Sequence, residues 1–159
     1  MTTGTTSADA SEVDLRIERV VGGGAGLAHH DGATWMVDRA LPGEKVRAAE
    51  LRRRAGVVEA TTIEVLDAPH QARLADPCPH APVCGGCDWP HVDPRRGAQL
   101  KAAVAAGAAR THRRLADLLA GATIRDSPLA YRLRARLHWD PLSGELGFYR
   151  TRSWDVTAI

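Results

Sequence analysis

The sequence predicts a β-rich protein of the α+β class, and three observations support this. In residues 13–66, short segments of alternating apolar and polar residues are divided by turns. In residues 93–121, apolar residues recur with helical spacing, and in residues 131–159 apolar and polar residues alternate again. With 159 residues, 44% of them hydrophobic, the chain can form one ordinary domain or two small ones. We expect a small β-barrel, a cysteine-rich loop, one helix and the start of an incomplete antiparallel sheet.

Five strands are predicted in the first part of the chain. In the first strand, Val13, Leu15 and Ile17 alternate with polar residues, which gives one buried and one solvated face. The other strands are expected at 27–30, 33–37, 45–51 and 57–66, with turns at Asp31-Gly32 and Leu41-Pro42-Gly43-Glu44. Five short strands without a helical period favour a small barrel of the OB type.

All three cysteines of the chain lie close together, as Cys78, Cys84 and Cys87. Clustered thiols in a loop rich in proline and glycine indicate a metal site, and Gly85 and Gly86 are expected to allow positive φ angles and close approach. An odd number of cysteines without a secretion signal argues against a disulfide framework. The spacing Cys-x5-Cys-x2-Cys is close to that of plant-type ferredoxins and is also compatible with zinc.

Three cysteines leave a four-coordinate site one ligand short. His80 or His91 could complete a Cys3His zinc site within the chain, or the fourth ligand could lie beyond Ile159. Three buried thiols without a metal are the remaining interpretation, although packing alone explains such a cluster poorly. The residues by themselves leave zinc and iron–sulfur both open.

One amphipathic helix is expected after the cysteines, with Asp93 as N-cap and Pro94 in its first turn. Its apolar residues recur at near-helical spacing up to Gly121: Leu100, Val104, Ala108, Leu115 and Leu119. Three arginines occupy the opposite face: Arg110, Arg113 and Arg114. A solvated charged face and an RNA contact are both open for these arginines.

A basic stripe is predicted on a strand that starts at residue 131. Arg132, Arg134 and Arg136 alternate with apolar residues, which places them on one strand face. A turn at 140–144 and a returning segment at 145–150 complete a hairpin. Because like charges on one face repel, we expect them to be covered by RNA phosphates, by acidic residues of a further domain, or by solvent alone.

The positive charge of the chain is concentrated in its second half. Residues 1–94 contain 9 Lys and Arg against 14 Asp and Glu, a formal charge of −5. Residues 95–159 contain 12 against 5, a formal charge of +7, and nearly all of these basic residues are arginines. Arginine suits forked contacts to phosphate, so the asymmetry favours a polyanionic partner.

Localisation and domain boundaries follow from the remaining patterns. The chain has no run of about 18 apolar residues, and its first twelve residues lack a signal-peptide pattern, so we expect a cytoplasmic protein that does not enter a membrane. The expected parts are a disordered tail at 1–12, the barrel at 13–69, a cysteine loop at 70–92, and the helix with an incomplete RNA-binding region at 93–159. Residues 154–159 alternate without a stop signal, which predicts a chain cut within a strand.

The order of these elements resembles the N-terminal part of the bacterial RNA uracil-5 (5-methyluridine) methyltransferases, which act on 23S rRNA and tRNA. The resemblance covers nearly everything from Val13 to Ile159. It rests on five segments: Leu41-Pro42-Gly43-Glu44, Cys78-x5-Cys84-Gly85-Gly86-Cys87, Gln99-Leu100-x-Ala102, Tyr131-Arg132-x-Arg134-Ala135-Arg136 and Leu146-Gly147-Phe148-Tyr149-Arg150.

The resemblance implies a TRAM-like RNA-binding barrel and a 4Fe-4S cluster held by Cys78, Cys84 and Cys87, with a fourth cysteine beyond Ile159. It also implies a separate Rossmann-type domain that binds S-adenosylmethionine and carries the catalytic cysteine and base. None of these catalytic parts is expected in the 159 residues, so the chain alone is expected to be inactive and monomeric, with structured rRNA or tRNA as its partner. The alternative is a free-standing RNA-binding module with a Cys3His zinc site.

Overall fold

The computed structural model describes residues 11–75, 78–120, 122–125 and 133–159. The chain divides into two compact units, Met1–Gln71 and Ala72–Ile159. The described part of the first unit is built from strands, whereas the second contains two helices and a three-stranded sheet. The predicted β-rich α+β class is therefore confirmed.

The first unit, called the barrel unit below, contains one six-stranded sheet. Its strands are β1 Glu12–Arg16, β2 Arg19–Val20, β3 Gly26–His30, β4 Ala33–Asp38, β5 Lys45–Arg54 and β6 Val57–Val65. They lie in the order β1-β5-β6-β4-β3-β2. Strands β4 and β6 are parallel, and the other neighbouring pairs are antiparallel.

The sheet curls because its two outermost strands are consecutive in the chain. Strand β1 pairs with β5, and the Glu18 N–H just after it donates to the Leu27 carbonyl of β3 at 2.8 Å. Residues 12–20 therefore form one bent segment that borders both ends of the sheet. Counted as one strand, this segment gives the five strands of a small OB-type barrel, as the sequence predicted. Residues 1–10 of the predicted tail lie outside the described residues, and Glu12 is already part of β1 rather than of a tail.

Two tight turns set the register of the barrel hairpins. Asp31 and Gly32 have φ angles of 47° and 73°, the paired positive values of a type I′ turn between β3 and β4. Between β5 and β6, Ala55 and Gly56 have φ angles of 46° and 79°. This turn was not predicted from the sequence, because alanine rarely adopts a positive φ angle. This second turn allows β5 to run three residues past its predicted end.

Alternating apolar side chains fill the interior of the barrel unit. Its buried cluster includes Leu15, Ile17, Trp35, Val37, Val46 and Val58. Trp35 is the largest of these side chains and is only 2% exposed. Because these residues come from β1, β4, β5 and β6 and from the link between β1 and β2, one core joins the strands of the curled sheet.

A buried carboxylate belongs to the same unit. Glu44 is 1% exposed, and its two carboxylate oxygens accept the Leu41 N–H at 2.8 Å and the His70 N–H at 3.0 Å. Gly43, with φ 82°, has the positive angle that a type II turn requires at the third position of the predicted turn at 41–44. The two backbone N–H donors offset the free-energy cost of burying the carboxylate. Through these hydrogen bonds, Glu44 links the turn at 41–44 to the segment that follows β6.

Two helices replace the single helix that the spacing predicted. They are α1 Gly97–Ala109 and α2 Arg113–Ala120. The break falls at residues 110–112, where Thr111 and His112 have lower helix propensity than the alanines before them. Gly107 remains inside α1, although glycine has low helix propensity.

The predicted helix start is also wrong. Asp93 does not cap α1, because its carboxylate accepts the Arg95 N–H at 2.9 Å and closes a local turn four residues before the helix. The predicted apolar face is only partly buried: Leu100 is 5% exposed, whereas Leu115 is 45% exposed. The three arginines expected on the opposite side are exposed, as predicted.

The three-stranded sheet lies at the end of the chain. Its strands are β7 His138–Trp139, β8 Leu146–Tyr149 and β9 Val156–Ala158, in the order β7-β8-β9 with antiparallel pairing throughout. The predicted hairpin is confirmed by the pairing of Trp139 with Leu146. The predicted strand from residue 131 is much shorter than expected, since of its described residues only His138 and Trp139 pair with β8.

Candidate nucleic-acid interface and metal centre

The cysteine loop is closed at its base by backbone pairing within the second unit. Arg73 and Val92 form an antiparallel bridge, and the Leu74 N–H donates to the His91 carbonyl at 2.9 Å. His91 is 3% exposed at this base. The segment that carries the cysteines therefore leaves and returns at one fixed point.

The loop is also tied to the end of β8. Cys84 forms an antiparallel bridge with Arg150, and the Gly85 N–H donates to the Tyr149 carbonyl at 2.9 Å. The Thr151 hydroxyl donates to the Cys84 carbonyl at 3.3 Å. These contacts join segments 67 residues apart in sequence, so the loop has a defined position on the three-stranded sheet.

The two glycines of the motif are explained by close approach and not by backbone angle. A Cβ on Gly86 would lie 2.9 Å from the Phe148 ring, and one on Gly85 would lie 3.0 Å from the Tyr149 carbonyl oxygen. The predicted close approach is therefore confirmed. The predicted positive φ is wrong, since neither glycine is among the residues with positive φ.

The three thiols suit a metal or cluster by residue type. None forms a disulfide, Cys78 and Cys87 are exposed, and Cys84 is half-buried. The Gly86 N–H donates to Cys84 Sγ at 3.3 Å, and hydrogen bonds to sulfur of this kind are common around iron–sulfur clusters.

The three thiols have the chemistry of metal ligands, but they are not arranged as a metal site. In the described parts of the chain, no three His, Cys, Asp or Glu side chains are close enough together to hold a metal ion. The same holds for the zinc alternative, in which His80 or His91 would join the cysteines. The predicted ligands are thus on one loop without being gathered around a common point.

The predicted basic stripe is only partly described. Arg132 lies outside the described residues, whereas Arg134 and Arg136 are exposed and precede β7 in a segment without strand pairing. Their apolar neighbour Leu133 is 98% exposed. The placement of Arg134 and Arg136 on a strand is therefore wrong, and their contact with RNA stays a prediction.

Much of the positive charge of the barrel unit is already offset within it. Four pairs show this: Arg16 with Asp67 at 3.0 Å, Arg47 with Asp14 at 3.2 Å, Arg52 with Glu59 at 2.6 Å, and Arg53 with Glu50 at 2.7 Å. The guanidinium beside Glu50 holds the pKa of that carboxyl below its usual value. A guanidinium held by a carboxylate attracts phosphate less strongly than an unpaired one.

Sequence reasoning missed an aromatic group on the three-stranded sheet. The His138 and Tyr149 rings stack with centroids 3.8 Å apart, and Trp154 meets Tyr149 edge to face at 5.2 Å. Trp154 is 82% exposed. The pairing of His138 with Gly147 places Tyr149 on the same sheet face, so a hairpin register derived from the turn at 140–144 would have revealed the stack.

Comparison with known proteins gives extensive similarity to one kind of enzyme, although no family model matches the chain. The 23S rRNA (uracil(1939)-C(5))-methyltransferase RlmD of Alkalilimnicola ehrlichii is 42% identical over 120 residues, which are 72% of this chain and 25% of that protein. The protein of the same name from Pseudomonas putida is 36% identical over 91% of this chain and 33% of its own length. An uncharacterized RNA methyltransferase of Bdellovibrio bacteriovorus is 32% identical over 92% of this chain and 37% of its own length.

The chain belongs to the RNA uracil-5 methyltransferase family. This confirms the resemblance that the five sequence segments indicated. The chain spans between a quarter and about a third of the length of these family relatives. Among the described residues of this family member, no helix has the length and apolar character needed to cross a membrane.

Proposed function

We propose that the chain is the RNA-binding, cluster-bearing part of an S-adenosylmethionine-dependent uracil-5 methyltransferase that acts on ribosomal RNA in the cytoplasm. The observation that carries the proposal is similarity over 72% and 91% of the chain to two proteins named as 23S rRNA uracil-5 methyltransferases. Structured rRNA is therefore the favoured substrate over tRNA. The OB-type barrel at 13–69 takes the role of the TRAM-like module, since barrels of this connectivity commonly bind oligonucleotides.

The chemistry explains why such an enzyme needs a dedicated RNA-binding part. Uracil C5 is a poor nucleophile, so a thiolate adds at C6 before C5 accepts the methyl group, and a base then removes the C5 proton and the thiolate leaves. S-adenosylmethionine supplies the methyl group when bound. The target base must leave its stack to reach these groups, and folded RNA is recognised through its shape and its unpaired loops.

We assign binding and orientation of the RNA to this chain, and the covalent steps to residues outside the 159. The three cysteines are all assigned to the cluster, so none is available as the nucleophile. A methyl-transfer assay of the 159-residue chain with rRNA is expected to give no product while RNA binding is retained. Methylation by the chain alone would contradict this division.

The RNA contact is tested at Arg134. Its guanidinium is exposed and belongs to the half of the chain with a formal charge of +7. We expect Arg134→Ala to weaken binding of structured RNA and to reduce the slope of log affinity against log salt by about one phosphate contact. The matched control is Arg47→Ala, because Asp14 at 3.2 Å and Glu64 at 3.5 Å already hold that guanidinium. If the slope of log affinity against log salt is unchanged in Arg134→Ala, Arg134 does not contact an RNA phosphate.

We also propose that Cys78, Cys84 and Cys87 hold a 4Fe-4S cluster whose fourth ligand lies outside these 159 residues. The hydrogen bond to Cys84 Sγ and the docking of the loop on residues 149–151 support this assignment. Its role would be structural, because a cluster would fasten a unit that buries few large side chains among its described residues.

Anaerobic reconstitution with iron and sulfide tests the cluster. A version of the chain extended to the relatives' length should take up iron and sulfide and gain thiolate-to-iron absorption, and Cys84→Ser should abolish both. His80→Ala serves as the control and should load normally. A single tightly held zinc in the 159-residue chain, lost in the His80 or His91 variant, would instead establish the zinc module.

A further inference from the structure

We propose that the three-stranded sheet binds an unstacked RNA base on an aromatic platform formed by His138, Tyr149 and Trp154. The inference rests on the proposed RNA binding and adds a base contact to the phosphate contacts. The His138 and Tyr149 planes are 22° apart, and Trp154 meets Tyr149 at 83°. Trp154 has the largest open surface of the three and is the stacking partner for the base.

The platform occupies one face of the sheet, and the cysteine loop packs against the other. His138 pairs with Gly147, and Tyr149 lies two residues further along β8, so both side chains share a face. Phe148 has the opposite orientation and lies against Gly86 of the cysteine loop. The Gly86 contact of the loop is therefore on the face opposite the platform.

Trp154 is exposed yet held in position. The turn before β9 is fixed by the Arg150 N–H, which donates to the Asp155 carbonyl at 2.8 Å, and by the Asp155 N–H, which donates to Ser153 Oγ at 3.0 Å. The Ser153 hydroxyl in turn donates to the Asp155 carboxylate at 2.8 Å. A preorganised indole loses little conformational entropy when a base stacks on it.

The surroundings of the platform favour RNA as its occupant. Arg150 and Arg152 are both exposed and lie within four residues of Trp154 in the chain. Unpaired RNA bases stack on aromatic side chains while nearby arginines contact the backbone phosphates. The opposite face presents Trp139 and Leu146, at 62% and 52% exposure, and provides the internal control.

The test compares two RNAs of equal length, a hairpin with an unpaired loop and a fully paired duplex, bound to the 159-residue chain. Trp154→Ala should lower affinity for the hairpin about tenfold or more, leave duplex affinity unchanged, and keep the wild-type salt dependence. Trp154→Phe should retain most of the affinity, because the ring face is preserved. Trp139→Ala, an exposed tryptophan on the other face, should bind as the wild type does.

Several outcomes would overturn the proposal. Wild-type affinity of Trp154→Ala for the hairpin would do so, as would an equal loss on hairpin and duplex. Unchanged RNA affinity together with loss of self-association in sedimentation would identify the platform as a protein contact instead. If the wild type binds RNA with a salt dependence that Arg134→Ala reduces, and Trp154→Ala does not change the affinity, only this inference fails. If the wild type binds no RNA, the proposed function fails with it.

Discussion

The two units of the chain use apolar residues in opposite ways. The barrel unit buries most of its large apolar side chains, with Trp35 at 2% exposure and Val37, Val46 and Val58 at 0%. The second unit exposes its own large side chains, among them Leu118 at 68%, Leu133 at 98%, Trp139 at 62%, Leu146 at 52% and Trp154 at 82%. Among its described residues, only four hydrophobic ones are buried: Ala72, Val92, Leu100 and Ala109.

The difference follows from the way each sheet ends. In the barrel unit, residues 12–20 border both ends of the sheet, so its concave face encloses a core. The three-stranded sheet has strands of two to four residues, and a sheet of that size encloses no interior of its own. The barrel unit is therefore expected to be stabilised by packing, and the second unit by hydrogen bonds and by whatever it binds.

Removal of a tryptophan from each unit gives the largest expected contrast. Trp35→Ala should lower the free energy of unfolding by about 3–5 kcal/mol, because it empties the centre of the barrel core. Trp139→Ala should change it by less than about 0.5 kcal/mol, because the side chain is mostly solvated. Urea titrations followed by far-ultraviolet circular dichroism measure both. Similar losses in the two variants would show that the second unit has a core of its own.

A methyl group added to a glycine tests how the cysteine loop is held. Gly86→Ala would place a Cβ 2.9 Å from the Phe148 ring, so the loop should detach from the sheet. We expect the Gly85 and Thr151 amides to exchange with deuterium several times faster, while amides of the barrel unit are unaffected. Gly22→Ala is the matched control, since open space surrounds that position and its φ is not positive. Unchanged protection at Gly85 would mean that the loop is held elsewhere.

Acid should affect the barrel unit through Asp67. The Lys45 N–H, and after it the Arg16 guanidinium, lower the pKa of this carboxyl below the pH at which it titrates in the unfolded chain. The stabilisation is therefore present above that pH and is lost as the pH falls through the folded-state pKa. Asp67→Ala should have a modestly lower melting temperature at neutral pH, and the difference from wild type should disappear in strong acid.

The second unit contains the control for that measurement. Hydrogen bonds from the Leu142 N–H and the Ser143 hydroxyl to Asp140 lower the pKa of this carboxyl within the β7–β8 turn. Asp140→Ala should leave the pH dependence of barrel unfolding as it is in the wild type. If the difference in melting temperature between Asp67→Ala and the wild type does not change with pH, the Asp67 side chain stabilises the unit by packing and not by its charge.

The success of sequence-based prediction differs between the units for a physical reason. In the barrel unit, alternation of Val13, Leu15 and Ile17 and the Asp31-Gly32 turn defined strands that tertiary burial then reinforced. After residue 93 the helical spacing was present, but the break at Thr111 and His112 was missed. The strand expected from residue 131 was too long, since alternation cannot reveal whether a neighbouring strand is available to pair.

In the candidate site too, some features could be predicted from the sequence and others could not. The cysteine spacing and the exposed positions of Arg134 and Arg136 were accessible from sequence, because they depend on residue type and local polarity. The reason for Gly85 and Gly86 was not, because it depends on Tyr149 and Phe148, more than sixty residues away. The aromatic platform was missed because the sequence reasoning placed a turn at 140–144 without deriving the β7–β8 register, which puts His138 beside Tyr149.

The sequence by itself determined the family, the order of the elements and the clustering of thiols and arginines, since these are carried by residue identity and short-range spacing. Only the tertiary structure decided that residues 12–20 border both ends of the curled sheet, that the cysteine loop docks on the end of β8, and that Trp154 stands exposed against Tyr149. These features arise from pairing between distant segments. Their register is set by long-range hydrogen bonds and packing that no local pattern contains.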